Sequence, residues 1–242
     1  SNASTIKTNR TYSQTIYVWT AKEYLSVPIA HICNICIDTA TFPRSLKKSI
    51  VCPIYKGGDR DHASNYRPIS LLPVLAKIFE KVINRRLVKY LESKGFLSNN
   101  QFGFRGNKST VDAASLIIHD IVQKIDSGKK CIGVFLDLAK AFDTVSIPKL
   151  LLKLESIGVR GLQLKLFRSY LTERMQSVKI EDYVSNELPV EYGVPQGSIL
   201  GPSLFILYIN GLCSMNLANK QNKEGASRMA AAKKLFLNRK ST

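Results

Sequence analysis

Acidic residues are scarce in this sequence, and they run out before its end. The 242 residues include 18 Asp and Glu against 35 Lys and Arg, the last Asp is Asp182, and Glu224 is the only acid after Glu191. Hard metal ions in phosphoryl-transfer sites are held mainly by carboxylates. The sequence after Glu191 therefore supplies no cluster of carboxylates for such a site.

Cysteines and long apolar runs are also few. Five Cys, an odd number without a regular framework, argue against a disulfide scaffold. His31, Cys33 and Cys36 form only a weak zinc motif, since no second ligand pair follows, and we expect a helix with small buried thiols instead. The apolar stretch 204–212 is much shorter than the roughly 20 residues of a membrane-spanning helix. Residues 1–3 resemble a tag-cleavage scar with no signal peptide after it, so we expect a soluble, intracellular protein without a membrane partner.

Basic charge is abundant and concentrated. Residues 44–110 hold 14 Lys and Arg against four Asp and Glu, residues 111–213 hold 11 against 11, and residues 214–242 hold seven against one. The net charge of +17 therefore comes from one region and a tail. A solvated surface is one explanation, but concentrated positive charge favours a nucleic-acid backbone as the partner.

The spacing of apolar residues predicts a mixture of helices and strands. A buried central strand is predicted over 131–136, and Pro53 predicts an edge position or a strand end. This order of elements favours an α+β fold over a regular βαβ array. Helices are predicted over 27–40 with Pro28 in the first turn, over 73–94, from Ser109 or Thr110 to 127, over 147–157, over 162–173 and over 202–215, and the other strands over 50–55, 175–180 and 188–191.

The helix predicted over 73–94 is strongly amphipathic and ends at Gly95. One face is apolar and another is basic. The apolar positions are Leu75, Ile78, Phe79, Val82, Leu87 and Leu91, and the basic ones are Lys77, Lys81, Arg85 and Lys89.

Asp137 follows the predicted buried strand, where a carboxylate would be held rigidly at the rim of a sheet. Mg²⁺ is commonly bound by one or two such carboxylates together with substrate phosphates. Taken alone, Asp137 is more often the cap of a turn, and Asp143 is better explained as a capping or positioning residue. Phe142 could stack on a sugar or block its 2′-hydroxyl, although a core Phe is the simpler explanation for a single residue.

A loop over 193–202 contains three Gly, two Pro and Gln196, whose amide can donate and accept near a base or sugar. Three basic side chains could bind phosphates: Lys56 before two glycines, Arg67 in an extended segment, and Arg105 in a Gly-containing loop. Each of these features alone is more often a plain turn or a surface residue.

The order and spacing of the segments closely resemble the reverse transcriptases of non-LTR retrotransposons, the LINE- and jockey-like elements. The resemblance covers about 27–212. It implies a right-hand polymerase with fingers and palm, a partial palm sheet packed on helices, and no thumb. Residues 4–43 would be an N-terminal helical segment of the fingers, 44–130 the fingers, 131–213 a partial palm and 214–242 a disordered basic tail. The matching stretches are FPRSLKKSIVCPIYKGGD, NYRPISLLPVLAKIFEKVI, QFGFR, FLDLAKAFDTV and GVPQGSILGPSLFILYIN.

The resemblance also implies a role for each candidate residue. Asp137 would be catalytic and the first metal ligand, assisted by the Leu138 carbonyl. The cofactors would be two Mg²⁺ or Mn²⁺ ions, and the partners an RNA template, a DNA primer, the RNA–DNA duplex and deoxynucleoside triphosphates. The nucleotide-binding residues would be Phe142 as a steric gate favouring deoxynucleotides, Gln196 and Gly197 facing the incoming nucleotide, and Lys56, Arg67 and Arg105 near the triphosphate or template, with Arg105 the best placed for the triphosphate.

The sequence departs from the family pattern in one important respect. The family places an aromatic-x-Asp-Asp motif some tens of residues after the Gln-bearing loop, and the sequence here lacks it. We therefore expect a truncated RNA-directed DNA polymerase domain whose second metal site does not form and which is inactive as it stands. The alternative is a non-catalytic nucleic-acid-binding remnant that uses the basic fingers and tail. The family resemblance implies a cytoplasmic ribonucleoprotein and the nucleus as locations.

Overall fold

The computed structural model describes residues 20–131, 135–138 and 140–214. The tag scar predicted at 1–3 and, apart from Ser214, the basic tail predicted over 214–242 lie outside these residues. The described residues form two compact units. The first contains 20–87 and Phe142–Gly201, and the second contains 88–131, 135–138, 140–141 and 202–214.

A five-stranded sheet belongs to the first unit. The strands are β1 (Lys48–Tyr55), β2 (Tyr66–Leu71), β3 (Arg174–Ile180), β4 (Tyr183–Val184) and β5 (Leu188–Val190). β1 pairs antiparallel with β2 and parallel with β3, while β4 and β5 both pair antiparallel with β3. Pairing with β3 extends only over Lys48–Val51, so Pro53 lies where β1 has a neighbour on one side only. The position predicted for Pro53 is confirmed, because its missing N–H costs no ladder hydrogen bond there.

Six helices accompany the sheet in the described part of the chain. They confirm the mixed helix-and-sheet composition, whereas the assignment to fingers, palm and thumb stays a prediction. No helix among the described residues is long and apolar enough to cross a membrane. The helices are α1 (Lys22–Asp38), α2 (Val74–Ser93), α3 (Thr110–Asp126), α4 (Ile147–Ser156), α5 (Gly161–Leu171) and α6 (Gly201–Ile209), and 3₁₀ turns lie at Arg44–Leu46, Ala63–Asn65 and Asn210–Ser214.

Aromatic rings form the centre of the first unit's core. Phe42 stacks on Phe79 of α2 with ring centroids 5.2 Å apart, and Tyr170 of α5 meets Phe42 edge-on at 5.1 Å. Cys33 and Cys36 are buried on α1, as predicted for small thiols in a helix. Burial raises the pKa of both thiols above its ordinary value, so both are protonated at neutral pH.

The start of α1 differs from its prediction. The helix begins at Lys22, so Pro28 lies inside it and not in its first turn. The turn before the proline closes through the N–H groups of Tyr24 and Leu25, which donate to the Ala21 carbonyl at 3.1 and 2.9 Å. Pro28 has no N–H to donate to the preceding turn. The residues before it favour helix formation, so the helix starts earlier than the proline.

The buried face of α2 is rotated relative to the predicted one. Leu75 is 44% exposed, while Ala76 and Ile83 are buried. The true buried stripe repeats every three or four residues and runs through Ala76, Phe79, Ile83, Leu87 and Leu91. This rotation places a charged residue, Glu80, on the buried side with 0% exposure.

The central strand predicted over 131–136 is wrong for the residues of that segment that the structure describes. Cys131, Phe135 and Leu136 lie outside any strand, and Phe135 is 79% exposed. An apolar run becomes a buried strand only when neighbouring strands pair with it, and the pairings described for β1–β5 involve none of Cys131, Phe135 and Leu136. Asp137 therefore does not end a strand.

The second unit has well-defined helix and loop ends. Ser109 caps α3 as predicted: its Oγ accepts from the Asp112 N–H at 3.1 Å, and Asp112 Oδ2 accepts from the Ser109 N–H at 2.8 Å. This reciprocal pair is a capping box. Asn210 fixes the loop after α2, because its Oδ1 accepts from the Ser98 N–H at 2.9 Å and its Nδ2 donates to the Phe96 carbonyl at 2.7 Å.

Candidate functional site

The loop that carries Gln196 is anchored in the first unit at three points, and the first is the turn that begins at Phe142. The Gly193 N–H donates to the Val145 carbonyl at 2.8 Å, and the Val194 N–H donates to the Phe142 carbonyl at 2.9 Å. Gly193 has φ +88°, and a Cβ there would lie 2.8 Å from the Asp143 Cα. Only glycine allows the loop and the turn to approach this closely.

The second anchor is strand β2. The Ser70 N–H donates to the Gln196 carbonyl at 2.8 Å. Gly197 has φ +106°, and a Cβ there would lie 2.8 Å from the Ser70 carbonyl oxygen. The loop thus packs its backbone against the strand that also carries Arg67, whose side chain is exposed, while Gln196 is half-buried.

The third anchor is the buried carboxylate of Glu80 on α2. The Ile199 N–H donates to Glu80 Oε2 at 2.7 Å, and the Tyr170 hydroxyl donates to Glu80 Oε1 at 2.9 Å. Arg174 of β3 is 2% exposed and donates from Nη1 to the Tyr170 carbonyl at 3.1 Å. Burial raises the pKa of Glu80 above its ordinary value, although the hydrogen bonds from Ile199, Tyr170 and the Leu200 backbone and the positive charge of Arg174 oppose this rise.

Lys56 and Arg67 lie on the β1–β2 hairpin of the same unit. Arg67 is opposite Ile54 in the ladder, and the Lys56 N–H donates to the Asn65 carbonyl at 2.9 Å just beyond it. Both side chains are exposed. They therefore remain accessible to phosphates.

Arg105 lies in the second unit and is held by protein groups. Its Nε donates to Glu92 Oε1 at 2.9 Å, its Nη1 donates to the Ser98 carbonyl at 2.8 Å, and its side chain is only 10% exposed. The hydrogen bond and positive charge of Arg105 hold the pKa of Glu92 below its ordinary value. In this arrangement Arg105 fixes the loop after α2, and its predicted contact with a triphosphate stays a prediction.

Asp137 and Leu138 also lie in the second unit, in an exposed segment that is neither helix nor strand. Within 20–131, 135–138 and 140–214, no three His, Cys, Asp or Glu side chains are close enough to hold a metal ion together. A two-metal centre needs several carboxylates on one site. The described residues therefore do not fit the predicted pair of metal ions.

Comparison with known proteins assigns the chain. Residues 47–226 match the family model of reverse transcriptase (RNA-dependent DNA polymerase). The chain belongs to the reverse transcriptase family.

Its relatives come from non-LTR retrotransposons. A probable RNA-directed DNA polymerase from transposon X-element of Drosophila melanogaster is 38% identical over 182 residues, which are 74% of this chain and 20% of that protein. The RNA-directed DNA polymerase from mobile element jockey of the same organism is 34% identical over 76% of the chain and 20% of its own length. The Pol polyprotein of the R1 element of Bradysia coprophila is 31% identical over 73% of the chain and 17% of its own length. The predicted LINE- and jockey-like reverse transcriptase domain is confirmed, and the chain spans about a fifth of these relatives.

The structure gathers some of the predicted site residues of this reverse transcriptase domain into the first unit. There the backbone of the Gln196 loop joins the turn at Phe142 to the strand that carries Arg67. Arg105, Asp137 and Leu138 belong to the second unit. The individual roles predicted for all of these residues stay predictions.

Sequence reasoning missed the buried group that holds the loop. Glu80 follows Ala76 by four residues and precedes Ile83 by three, which places it on the buried face of α2. An acidic residue at the three- and four-residue spacing of buried positions was the sequence feature that could have identified Glu80. Tyr170 and Arg174 gave no comparable signal, because their contacts join elements 90 residues or more from Glu80 in the sequence.

Proposed function

We propose that this chain is the nucleotide- and duplex-binding part of an RNA-directed DNA polymerase. The observation that carries the proposal is the double anchoring of the Gln196 loop, on the turn at Phe142 and on β2. Two glycines with no room for a side chain fix this arrangement, and the family membership supports the same function.

Each residue of the first unit has a proposed task. Gln196 and Gly197 face the incoming deoxynucleotide, and Phe142 blocks a 2′-hydroxyl. Lys56 and Arg67 contact phosphates of the triphosphate or of the RNA template, for which their exposed side chains suit them. The RNA–DNA duplex is held by its backbone and shape while base pairing selects the sequence.

Arg105 is the weaker candidate for the triphosphate. A phosphate would have to replace the Glu92 carboxylate on a guanidinium that is 10% exposed. We propose that Arg105 positions the loop and contacts a phosphate only if that pair opens.

Nucleotidyl transfer needs more carboxylates than the described residues supply. The two Mg²⁺ or Mn²⁺ ions of the proposed polymerase require carboxylates besides Asp137, and the sequence has no aromatic-x-Asp-Asp motif after 202. For the 242-residue polypeptide we therefore propose binding without DNA synthesis. The excess basic charge of residues 44–110 favours a non-catalytic nucleic-acid-binding role. As locations we propose a cytoplasmic ribonucleoprotein and the nucleus.

The test is primer extension on an RNA template with Mg²⁺ and deoxynucleotides, together with ternary-complex formation. We expect a stable complex of protein, primer–template and the complementary deoxynucleotide, with no extension of the primer. The Phe142→Ala variant should admit the matching ribonucleotide as well. Extension that Asp137→Ala abolishes would contradict the proposed inactivity, and failure to bind any complementary nucleotide would contradict the nucleotide site.

A further inference from the structure

We propose that Glu80 is a positioning residue for the nucleotide site, holding the Gln196 loop through the Ile199 N–H. This inference rests on the proposed function, because it gives Glu80 a task in the same site. The distance from Ile199 N to Glu80 Oε2 is 2.7 Å, within the range of charge-assisted hydrogen bonds. Ile199 is three residues after Gln196, so the bond fixes the end of the loop just before α6 begins.

Glu80 is unusual for a residue whose only purpose is stability. A carboxylate with 0% exposure loses its hydration, and replacing a whole buried charge pair, here Glu80 and the 2%-exposed Arg174, with apolar groups is often neutral or stabilising. Several helix positions around it on the buried face are apolar, among them Ala76, Phe79 and Ile83, while Asn84 one turn later has a buried amide oxygen. A leucine at position 80 would lack an acceptor for the loop.

The surroundings of Glu80 orient it for this purpose. The Tyr170 hydroxyl donates to Oε1 and leaves Oε2 for Ile199. Burial raises the pKa of Tyr170, so its hydroxyl stays protonated and available as a donor. Arg174 supplies buried positive charge and is itself held by the Tyr170 carbonyl. The carboxylate thus has one oxygen fixed by the core and the other directed at the loop.

The loop would lose one of its three anchors without Glu80. The other two lie at Gly193–Val194 and at Gln196. Between Gln196 and α6, Ser198 makes local hydrogen bonds with the Pro195 carbonyl and the Gly201 N–H, and Glu80 is the acceptor that ties this segment to α2. The expected consequence is local: the fold of the sheet persists, and the orientation of Gln196 and Gly197 toward a nucleotide becomes less defined.

The experiment compares three variants of the full 242-residue chain by amide hydrogen exchange and by affinity of the primer–template complex for the complementary deoxynucleotide. Glu80→Leu removes the acceptor, Glu80→Gln keeps a carbonyl oxygen in its place, and Tyr170→Phe removes the hydroxyl that bonds Glu80 Oε1 and the Ser198 side chain. We expect Glu80→Leu to speed exchange at 197–199 and to weaken nucleotide affinity, each by about ten- to a hundredfold, the effect of losing a hydrogen bond to a charged group. Glu80→Gln should restore most of both, and Tyr170→Phe should speed exchange at Ile199 less than Glu80→Leu does, because it leaves the acceptor of the Ile199 N–H in place.

The outcomes separate positioning from stability. Faster exchange throughout the first unit in Glu80→Leu, with 197–199 affected no more than β1, would overturn the inference and leave Glu80 a core residue. If Glu80→Leu does not fold, Glu80→Gln decides, because its amide is a weaker acceptor than the carboxylate: exchange at 197–199 that rises no more than exchange in β1 would overturn the inference. If the wild-type chain binds no nucleotide, the proposed function fails while the exchange rates still decide the role of Glu80.

Discussion

At the scale of single residues, the glycines of the Gln196 loop have the most demanding positions. Gly197 combines φ +106° with a carbonyl oxygen, that of Ser70, 2.8 Å from where its Cβ would be. The clash is with backbone, which cannot rotate away as a flexible side chain can. Backbone strain and the close approach of β2 act on the same residue.

Gly197→Ala should lower the free energy of unfolding by about 1–3 kcal/mol, the usual cost of a strained backbone conformation. Gly106→Ala is the matched control, because its φ is ordinary and no atom lies within 4 Å of its added Cβ. The control should be neutral or stabilising by up to about 1 kcal/mol, since alanine restricts the unfolded chain. Urea denaturation measures both, and equal effects would contradict the close approach of the loop to β2.

A second residue-scale effect depends on pH. The pKa of Glu92 is lowered in the folded chain by the hydrogen bond and charge of Arg105. A carboxylate whose pKa is lower in the folded than in the unfolded state stabilises the fold above its ordinary pKa, and this contribution disappears as pH falls through the folded value. The free energy of unfolding should therefore decrease on acidification below about pH 4.5.

Glu92→Gln should remove that part of the acid dependence. At neutral pH the loss should be only about 0.5–1 kcal/mol, because the Glu92 side chain is 37% exposed and water screens the pair. Arg105→Gln removes the same pair from its other side and should flatten the profile similarly. Denaturation curves between pH 3 and pH 7, in the range where the chain stays soluble, measure the effect. An unchanged slope in both variants would contradict a pair that is formed in solution.

At the scale of elements, local patterns predicted most helices and three of the strands, β1, β3 and β5, to within two residues. α4, α5, β3 and the capping of α3 by Ser109 follow from residues close together in the sequence. The errors share a cause, which is tertiary context. The segment 131–136 has the composition of a buried strand, but its described residues Cys131, Phe135 and Leu136 lie outside any strand. The buried face of α2 follows from what it packs against and not from its most apolar residues.

The candidate site was predictable to the same extent. The segments with Phe142 and Gln196 were identified from their residues and order, but their direct hydrogen bonds were not, since these link positions about 50 residues apart. Glu80 was missed because the buried face of α2 was assigned from its hydrophobic residues alone. A charged residue is not counted toward a buried face in such an assignment.

At the scale of the whole molecule, charge is the dominant property. The excess of Lys and Arg in residues 44–110 includes exposed Lys81 and Arg85, which share one face of α2 at four-residue spacing. Residues 111–213 are balanced in charge. If the basic region binds an RNA–DNA duplex, neutralising some of its Lys and Arg side chains should alter the salt dependence of binding.

Lys81→Gln with Arg85→Gln should weaken binding of duplexes of any sequence and reduce the slope of log K against log salt by about two. Lys149→Gln with Lys165→Gln is the matched control, since it removes the same charge from exposed positions in the balanced region. Equal losses in the two double variants would show that net charge alone matters. Filter binding between 50 and 200 mM salt, a range of roughly fourfold, measures the slopes.

The buried Glu80 has a practical consequence for protein engineering. A search for thermostable variants that scores only the melting temperature would favour apolar residues at positions 80 and 174 together, because replacing a whole buried charge pair with apolar groups is often neutral or stabilising. Such a variant would have lost the hydrogen bond from the Ile199 N–H, by which we propose that Glu80 holds the Gln196 loop. Position 80 is therefore one to keep fixed when this domain is stabilised.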